Sequence, residues 1–291
     1  FLPEEWWDED DRRERARVPE SYARRTKIEM AMQQVDLALA ADFSIDCVLA
    51  DAGYGEATDF REGIASRGLK YAVGVARTTK VFVTHPQFLV PASGPVGRPR
   101  SRKQLAQSSP KPMTLEEVAA MAPPSSWKHI TWRKGTKGPL RAKFLLLRVT
   151  PAHRWTAGRQ HDEVWLICER TLGKDSIRKF YLSNLPPDMS PKRLVAITHE
   201  RWAIEAHYRD LKQETALDHF EGRSFPALNR HMVLTALAYT FLQHERCRHK
   251  RDLPSITAVR ETITEVVVVL LFASGEDFAK RAAHFIRDRD P

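Results

Sequence analysis

The chain has 291 residues, of which 42% are hydrophobic and 29% are charged, a composition typical of globular domains. Its longest apolar run, residues 266–273, is too short to cross a bilayer, so this run is not a membrane span. The formal net charge of +9 favours a polyanionic partner, most often nucleic acid, although charge alone leaves open a basic enzyme without such a partner.

The cysteines and the N-terminal segment bear on the cellular compartment. Cys47, Cys168 and Cys247 are far apart and lack metal-ligand spacing. A sparse, odd number of cysteines is typical of a reducing compartment, and each is predicted to be a small buried hydrophobic residue. The first residues are acidic and charged, unlike a secretory signal, so a cytoplasmic location without membrane contact is expected.

The first predicted elements are the end of a strand and a long helix. Residues 1–7 are typical of a strand that runs into a loop, and the mixed charges of residues 8–17 predict a solvated segment. A helix is predicted for residues 20–41, with Pro19 at its start. Its apolar face would consist of Ile28, Met32, Val35 and Leu39.

A short apolar segment then ends at a carboxylate. Residues 45–50 show no clean alternation, which is typical of a strand covered on both faces. Asp51 follows, and Gly53 and Gly55 allow close approach of the backbone. Because ligands bind at the carboxyl ends of strands in open α/β sheets, Asp51 is a candidate metal ligand. On this stretch alone, an Asp that starts a turn or caps a helix is an equal alternative.

The next elements predict a parallel strand pair. A helix is expected over residues 58–67, ended by Gly68, and residues 70–76 are typical of a second buried strand. A strand, a helix and a strand in this order imply a crossover connection and therefore a parallel pair.

Residues 78–174 contain no long helical pattern and predict a β-rich region. Thr114 and Glu117 occupy capping-box positions for one short helix over residues 114–121. The segments with alternating, aromatic or β-branched residues predict strands at 129–133, 142–149, 163–169 and 178–183. Residues 98–103 are basic and contain a proline, and a solvated loop and a DNA-backbone contact remain equal alternatives there.

The remaining chain is helical by pattern. Residues 190–217 are predicted to form one helix, with Ser190 as its cap and an apolar stripe of Ile197, Ile204 and Leu211. Further helices are expected at residues 225–250, 256–273 and 276–289. A second stripe of the first helix, beside the apolar one, contains Arg201, Glu205, Tyr208 and Lys212. A surface helix with charge pairs is the alternative to a functional row.

Asp51 and Glu205 form a candidate pair of metal ligands. A strand-end Asp and a helical Glu are the oxygen ligands that divalent cations use, and two such cations activate water and stabilise a phosphodiester leaving group. Basic side chains would hold the anionic substrate, and those nearby are Arg201, Arg209 and Lys212.

Histidines and tryptophans are expected to have other roles. His199 and His207 lack the spacing of a helical metal pair and are predicted to face solvent or DNA. The tryptophans of the β-rich region are predicted to pack in the core, with base stacking as the alternative, and they are Trp127, Trp132, Trp155 and Trp165.

Three blocks resemble a DDE transposase of the IS4-type class, with the strongest likeness to the IS701 family. The first is Leu2-Pro-Glu-Glu-Trp6 with the basic and proline residues that follow it. The second is Val48-Leu-Ala-Asp51-Ala-Gly-Tyr-Gly55, followed by Leu69-Lys-Tyr-Ala-Val-Gly-Val75. The third is Arg201, Glu205 and Lys212, separated by three and six residues as in the class signature.

The resemblance implies a ribonuclease-H-like (retroviral-integrase-type) α/β core with a β-rich insertion and a C-terminal helical region. Its parts would be residues 1–79 as the first part of the core, 80–184 as the insertion, 185–222 as the catalytic-glutamate segment, and 223–291 as the C-terminal helices. It also implies Mg²⁺-dependent, cut-and-paste DNA cleavage and strand transfer at transposon ends, with two metal ions and Mn²⁺ as an alternative ion. The partners would be transposon-end and target DNA, and a homodimer in the DNA complex remains open.

By the same resemblance, Asp51 and Glu205 would be the second and third catalytic carboxylates and would bind the metal. DNA contacts would come from Arg201 and Lys212, with Arg209 beside them, and Tyr54 would help to position the DNA.

Two departures from the family pattern change the expectation. Thr198 occupies the position of a signature Tyr, and no Asp of this sequence matches the first catalytic carboxylate. The chain is therefore expected to be an N-terminally truncated piece of a transposase that is inactive alone. A catalytically inactive DNA-binding remnant and a stand-alone nuclease of the same fold are the alternative functions.

Overall fold

A computed structural model of the chain describes residues 2, 4–8, 10–92, 101, 104–135, 138–153, 162–171, 173, 177–248 and 253–273. Contacts divide the chain into two compact units. The sheet unit consists of Arg25–Trp202. The helical unit consists of Leu2–Arg24 together with the described residues from 203 onward.

Helices and strands are mixed in the first two thirds of the chain, and the described elements after residue 190 are helical. The helices are α1 Glu5–Asp8, α2 Asp10–Arg15, α3 Lys27–Ala40, α4 Ala52–Gly55, α5 Thr58–Ser66, α6 Leu115–Met121, α7 Pro191–Glu200, α8 Trp202–Thr215, α9 Phe225–Arg248 and α10 Ile256–Ala273. The strands are β1 Val48–Ala50, β2 Tyr71–Val75, β3 Lys80–Phe82, β4 Phe88–Leu89, β5 Gln104–Leu105, β6 Met113–Thr114, β7 Trp127–Gly135, β8 Gly138–Pro151, β9 Val164–Arg170 and β10 Ile177–Ser183. This is a mixed α/β fold.

The described part of the sheet unit contains an eight-stranded, mostly antiparallel sheet. Its order is β1-β2-β10-β9-β8-β3-β6, and β7 pairs with β8. The β1–β2 pair is parallel, which confirms the predicted crossover. The four strands predicted in the β-rich region are also confirmed, and β10 pairs directly with β2, so these strands continue the sheet that begins with β1. The four-part domain division stays a prediction.

Both faces of the sheet are covered, because neighbouring residues of a strand point to opposite sides. Val73 and Leu166 are fully buried on the face that packs against α3, α5 and α6. Ala72 and Phe144 are buried on the other face, which packs against α7. The prediction that β2 is covered on both faces is therefore confirmed.

Side chains continue the pairing of β2 and β10 past the end of the ladder. The last paired residue of β10 is Ser183, opposite Ala72. Beyond it, the Asn184 Oδ1 atom accepts a hydrogen bond from the Tyr71 backbone N–H at 2.6 Å, and its Nδ2 atom donates to the Leu69 carbonyl at 3.1 Å. These bonds satisfy backbone groups at the entrance to β2.

The helical unit joins the first residues of the chain to the C-terminal helices. The Phe225 backbone N–H donates to the Ala16 carbonyl at 2.7 Å. The Tyr22 ring contacts the Phe225 ring edge-on, with centroids 5.0 Å apart. A small buried cluster of Leu242 and Val259 lies between α9 and α10.

Several predicted boundaries are wrong. The helix predicted from residue 20 begins at Lys27, because Thr26 and Glu29 form a capping box that fixes its first turn. Residues 5–8 are helical rather than a strand end, and residues 10–15 are helical within the segment predicted to be solvated, where Asp11, Glu14 and Arg15 are exposed. There the Arg12 and Arg13 guanidinium groups lie over tryptophan rings, at 4.4 and 5.3 Å from the ring centroids.

The helix predicted over residues 190–217 is interrupted. The structure has two helices, α7 and α8, and Arg201 lies between them. The Thr198 hydroxyl and the His199 Nδ1 atom both bond to the Val195 carbonyl, at 2.7 and 2.9 Å. Side-chain bonds of this kind compete with helical backbone bonds and favour a bend. The helix predicted at 276–289 and most of the basic segment 98–103 lie outside the described residues.

Candidate active site

Asp51 stands at the carboxyl end of β1 and begins α4. Its side-chain Oδ1 atom accepts a hydrogen bond from the Gly53 backbone N–H at 3.0 Å, so Asp51 is the helix cap that the sequence offered as the alternative. The residue is exposed. A cap of this kind holds one carboxylate oxygen in a fixed direction at the surface of the unit.

Two glycines let α4 approach β2 closely and so place Asp51. A Cβ atom on Gly55 would lie 2.0 Å from the Gly74 carbonyl oxygen, far inside any real contact. A Cβ atom on Gly74 would lie 3.2 Å from the Ala52 backbone nitrogen. Of the two glycines predicted to allow backbone approach, Gly55 does so, whereas a Cβ atom on Gly53 would meet only the Asp51 side chain, at 3.2 Å.

A buried arginine holds the far end of α4. The Arg61 guanidinium donates to the Gly55 carbonyl and, at 3.2 Å, to the Thr58 hydroxyl. Burial lowers the pKa of Arg61, and this effect is opposed by Tyr71 and Glu62. The hydrogen bonds offset the cost of burying this cation.

Tyr54 lies on α4 beside the core. Its ring is half-buried and packs against the Phe60 ring, with centroids 5.6 Å apart and planes inclined at 48°. This contact gives Tyr54 a packing role, and its predicted contact with DNA stays a prediction.

The C-terminal end of α7, next to Arg201, is fixed by a histidine in an aromatic pocket. The His199 Nε2 atom lies 3.3 Å from a carboxylate oxygen of the buried Glu169. The His199 ring packs against Trp132, with centroids 4.2 Å apart, and against the edge of Phe144 at 5.9 Å. The prediction that His199 faces solvent or DNA is therefore wrong.

The same pocket contains a phenol whose ionisation is suppressed. Burial raises the pKa of Tyr181, and the nearby Glu169 carboxylate raises it further, while Arg201 opposes both. Tyr181 therefore stays neutral, and the Arg201 guanidinium lies close enough to act on it electrostatically.

The other sequence-predicted site residues lie on α8, in the helical unit. Glu205, Arg209 and Lys212 are exposed, and Arg209 lies 3.5 Å from Asp210. Tyr208 is 53% exposed, so the polar row faces solvent, and of the predicted apolar stripe Leu211 is buried, at 6% exposure. Ile204, predicted to belong to the buried stripe, is 46% exposed.

Glu214 connects α8 to α10. Its carboxylate accepts a hydrogen bond from the Thr257 hydroxyl at 2.5 Å and pairs with Arg260 at 2.9 Å. The His207 ring contacts the Tyr239 ring of α9, with centroids 4.5 Å apart. These contacts fix the rotation of α8, and they were not predicted because the partners lie 32 to 46 residues away along the chain.

The predicted site residues are divided between the two units. Asp51, Tyr54 and Arg201 belong to the sheet unit, whereas Glu205, Arg209 and Lys212 belong to the helical unit. Among the described residues, no group of three or more His, Cys, Asp or Glu side chains could hold a metal ion. Each unit therefore offers an exposed carboxylate of the type that Mg²⁺ uses, but neither offers a complete ligand set within the described residues.

The cysteines differ from one another. Burial raises the pKa of the Cys47 thiol to about 11, with added contributions from Glu200 and Asp46. Burial likewise raises the pKa of the Cys168 thiol to about 12. Cys168 is buried as predicted, Cys47 is only half-buried, and Cys247 is exposed, so the prediction that every cysteine is buried is wrong for Cys247. Trp127 is buried and Trp132 half-buried as predicted, as is Trp165, while Trp155 lies outside the described residues.

No helix within the described residues is long and apolar enough to cross a membrane.

No curated protein matches the chain. A family model described as "DDE superfamily endonuclease" matches residues 1–139, a segment that contains Asp51 and Tyr54 and ends before Arg201 and Glu205. This match supports a DDE transposase-type family for the chain.

Proposed function

We propose that this chain is part of a DDE transposase of the IS4-type class, most similar to the IS701 family, with a ribonuclease-H-like core. The observation that carries the proposal is the position of Asp51, which is exposed at the end of the parallel strand β1, inside the segment that matches the endonuclease family. This family implies a DNA substrate and divalent metal ions. We also propose a cytoplasmic location, because DNA is the substrate.

Asp51 and Glu205 are the proposed metal ligands. Both are exposed carboxylates, and hard oxygen ligands are what Mg²⁺ and Mn²⁺ require. When bound, such ions polarise the scissile phosphodiester and lower the pKa of an attacking water. The chain's own part is to hold the carboxylate oxygens in position, and the Gly53 N–H does this for Asp51.

Basic residues are the proposed DNA contacts. Arg201 and Lys212 would bind transposon-end phosphates, with Arg209 beside them and Tyr54 positioning the strand. The contacts of His199 with Glu169 and Trp132 support this assignment for Arg201, because they fix the end of α7 that immediately precedes Arg201.

Metal titration tests the two carboxylates. We expect Asp51→Asn and Glu205→Gln each to weaken Mn²⁺ binding to the whole chain by at least about tenfold, about 1.4 kcal/mol, in a calorimetric titration. Two control variants each remove one carboxylate: Asp46→Asn from the sheet unit and Glu221→Gln from the helical unit. Both should leave the affinity for Mn²⁺ unchanged. Equal losses in these controls would mean that binding reflects net charge, and the assignment of the site would be wrong.

A second assay separates a transposase from a nuclease. The nuclease is the alternative function because the matching family is described as an endonuclease. A transposase joins a DNA 3′-hydroxyl to a target strand, whereas a nuclease produces only hydrolysed ends. The resemblance requires a first catalytic carboxylate, which no Asp of this sequence matches, so we expect metal binding without strand transfer from this chain alone. We expect strand transfer from a protein that supplies the missing carboxylate. Hydrolysis alone in that protein would favour the nuclease.

A further inference from the structure

The segment that forms the hairpin of β7 and β8 is unusually basic. Residues 118–161 contain no Asp or Glu. Their Lys and Arg residues are Lys128, Arg133, Lys134, Lys137, Arg141, Lys143, Arg148, Arg154 and Arg159. A stretch of this length without a carboxylate concentrates positive charge in one part of the sequence.

The pairing of three strands brings basic residues side by side. Lys143 on β8 is directly opposite His129 on β7 and, on its other side, directly opposite Arg170 on β9. Neighbouring strands lie about 4.8 Å apart, so these three side chains form a lateral row. Arg141 is two residues from Lys143 and so projects from the same side of β8.

Lys134 extends the same surface. The register shift between Thr131 and Arg133 changes which residues of β7 lie opposite each side of β8. Lys134 therefore pairs with Pro139, which lies on the same side of β8 as Arg141 and Lys143. We call this surface the basic face, and its members are His129, Lys134, Arg141, Lys143 and Arg170. Arg170 and Lys143 are half-buried, and the other three are exposed.

The basic face holds like charges together at an energetic cost. Like charges directly opposite each other on a sheet are destabilising. Within the described residues, Lys134, Arg141 and Lys143 form no ion pair. The Arg170 guanidinium carbon lies 4.1 Å from the centroid of the Trp127 ring, which orients it, and its buried Nε atom has no hydrogen-bond partner in the described residues. A polyanion on this face would remove the repulsion.

We propose that the basic face, none of whose members is a candidate site residue, binds the phosphate backbone of DNA. The inference rests on the proposed function only in taking DNA as the substrate. Surfaces that bind membranes place exposed aromatic or leucine side chains beside their cations. Within the described residues, the members of the basic face are Lys, Arg and His side chains, and its exposed strand neighbours are Thr131 and Pro139. This composition favours a nucleic acid backbone over a lipid surface.

Salt-dependent DNA binding tests this proposal. The affinity of the whole chain for a fluorescently labelled duplex of mixed sequence is measured in EDTA, between about 50 and 200 mM salt. Each phosphate contact contributes about 0.9 to the slope of log affinity against log salt concentration, so the double variant Arg141→Gln/Lys143→Gln should reduce the magnitude of the slope by about 1.8. EDTA removes the divalent ions, so this result is independent of whether Asp51 and Glu205 bind metal.

Matched variants separate the basic face from general charge effects. Lys128 is exposed, lies one residue from His129 and points to the opposite side of β7, so Lys128→Gln should leave the slope unchanged. The charge-preserving pair Arg141→Lys/Lys143→Arg should retain the slope, with thermal denaturation confirming that each variant is folded. An equal loss in Lys128→Gln, or an unchanged slope in the double Gln variant, would overturn the proposal. The proposal would also be overturned if Arg141→Gln/Lys143→Gln weakened binding to anionic lipid vesicles but left binding to DNA unchanged.

Discussion

At Gly55 the backbone of α4 meets β2 so closely that only a hydrogen fits, and the opposing Gly74 carbonyl oxygen would lie 2.0 Å from a Cβ atom. The atom in the way belongs to a backbone that is itself part of a strand, so it cannot move aside without disturbing the sheet. The position of the Asp51 carboxylate therefore depends on two residues that have no side chain.

Replacing Gly55 with alanine should destabilise the sheet unit and displace Asp51. Overpacking costs typically about 1–3 kcal/mol in the free energy of unfolding, and urea denaturation measures it. Gly63→Ala is the matched control, because the Cβ atom would lie 3.0 Å from the Met32 Cε atom, the end of a flexible side chain. The control also gains up to about 1 kcal/mol of helix propensity within α5. Equal stability of the two variants would contradict the close approach of α4 and β2.

The surroundings of single residues were only partly predictable from the sequence. The position of Asp51 at a strand end was predicted because a local apolar run ends there and glycines follow it. The pocket around His199 was not found, because its partners Trp132 and Glu169 come from β7 and β9 and no local spacing connects them. The basic face was detectable in part, as a long stretch without acidic residues.

Among the elements, β2 and β10 are joined by a side chain where their backbone ladder ends. Asn184 satisfies the Tyr71 N–H and the Leu69 carbonyl, two backbone groups at the entrance to β2. The residues of β2 that follow Tyr71 include Gly74, which packs against α4.

Asn184→Ala should lower the free energy of unfolding by about 1–3 kcal/mol, because it leaves a partly buried donor and acceptor without partners. Asn229→Ala is a suitable comparison, since Asn229 is exposed on α9 and makes one bond from Nδ2 to the Phe225 carbonyl at 2.9 Å. Exposed substitutions of this kind usually change stability by no more than about 0.5 kcal/mol. A loss at Asn184 no larger than that at Asn229 would show that water replaces the Asn184 bonds.

The existence of elements was more predictable than their ends. Alternation and β-branched residues identified β7 to β10, because these signals are local. The start of α3 depends on reciprocal bonds between Thr26 and Glu29, and the interruption at Arg201 is favoured by two side chains that bond to one carbonyl. Hydrophobic periodicity contains no information on either feature.

At the scale of the whole molecule, the helical unit is discontinuous in sequence. Residues near the beginning of the chain pack with α9, through the Phe225 bond to Ala16 and the ring contact of Phe225 with Tyr22. This unit was not predictable, because contacts between residues roughly 200 positions apart leave no periodic pattern in a sequence. The basic composition, by contrast, indicated a polyanionic partner from the residue counts alone.

The Tyr22–Phe225 contact should stabilise the helical unit and leave the sheet unit unchanged. In a double-mutant cycle with leucine at both positions, we expect a coupling of about 0.5–1.5 kcal/mol, as for other aromatic pairs. Hydrogen exchange of the α9 amides provides the local free energy of opening. Tyr22→Leu combined with Phe60→Leu, whose rings belong to different units, should be additive. Coupling in this second pair, or its absence in the first, would contradict the division into units.

The bond between Ala16 and Phe225 also bears on the order of events during synthesis. The ribosome adds about 5–20 residues per second, so the Ala16 carbonyl waits roughly 10–40 s for its partner to be made. The sheet unit, which is continuous from Arg25 to Trp202, is complete before α9 exists. In the nascent chain, the Tyr22 ring is therefore without its Phe225 partner, and accessible to any chaperone, for longer than any residue of the sheet waits for its neighbouring strand.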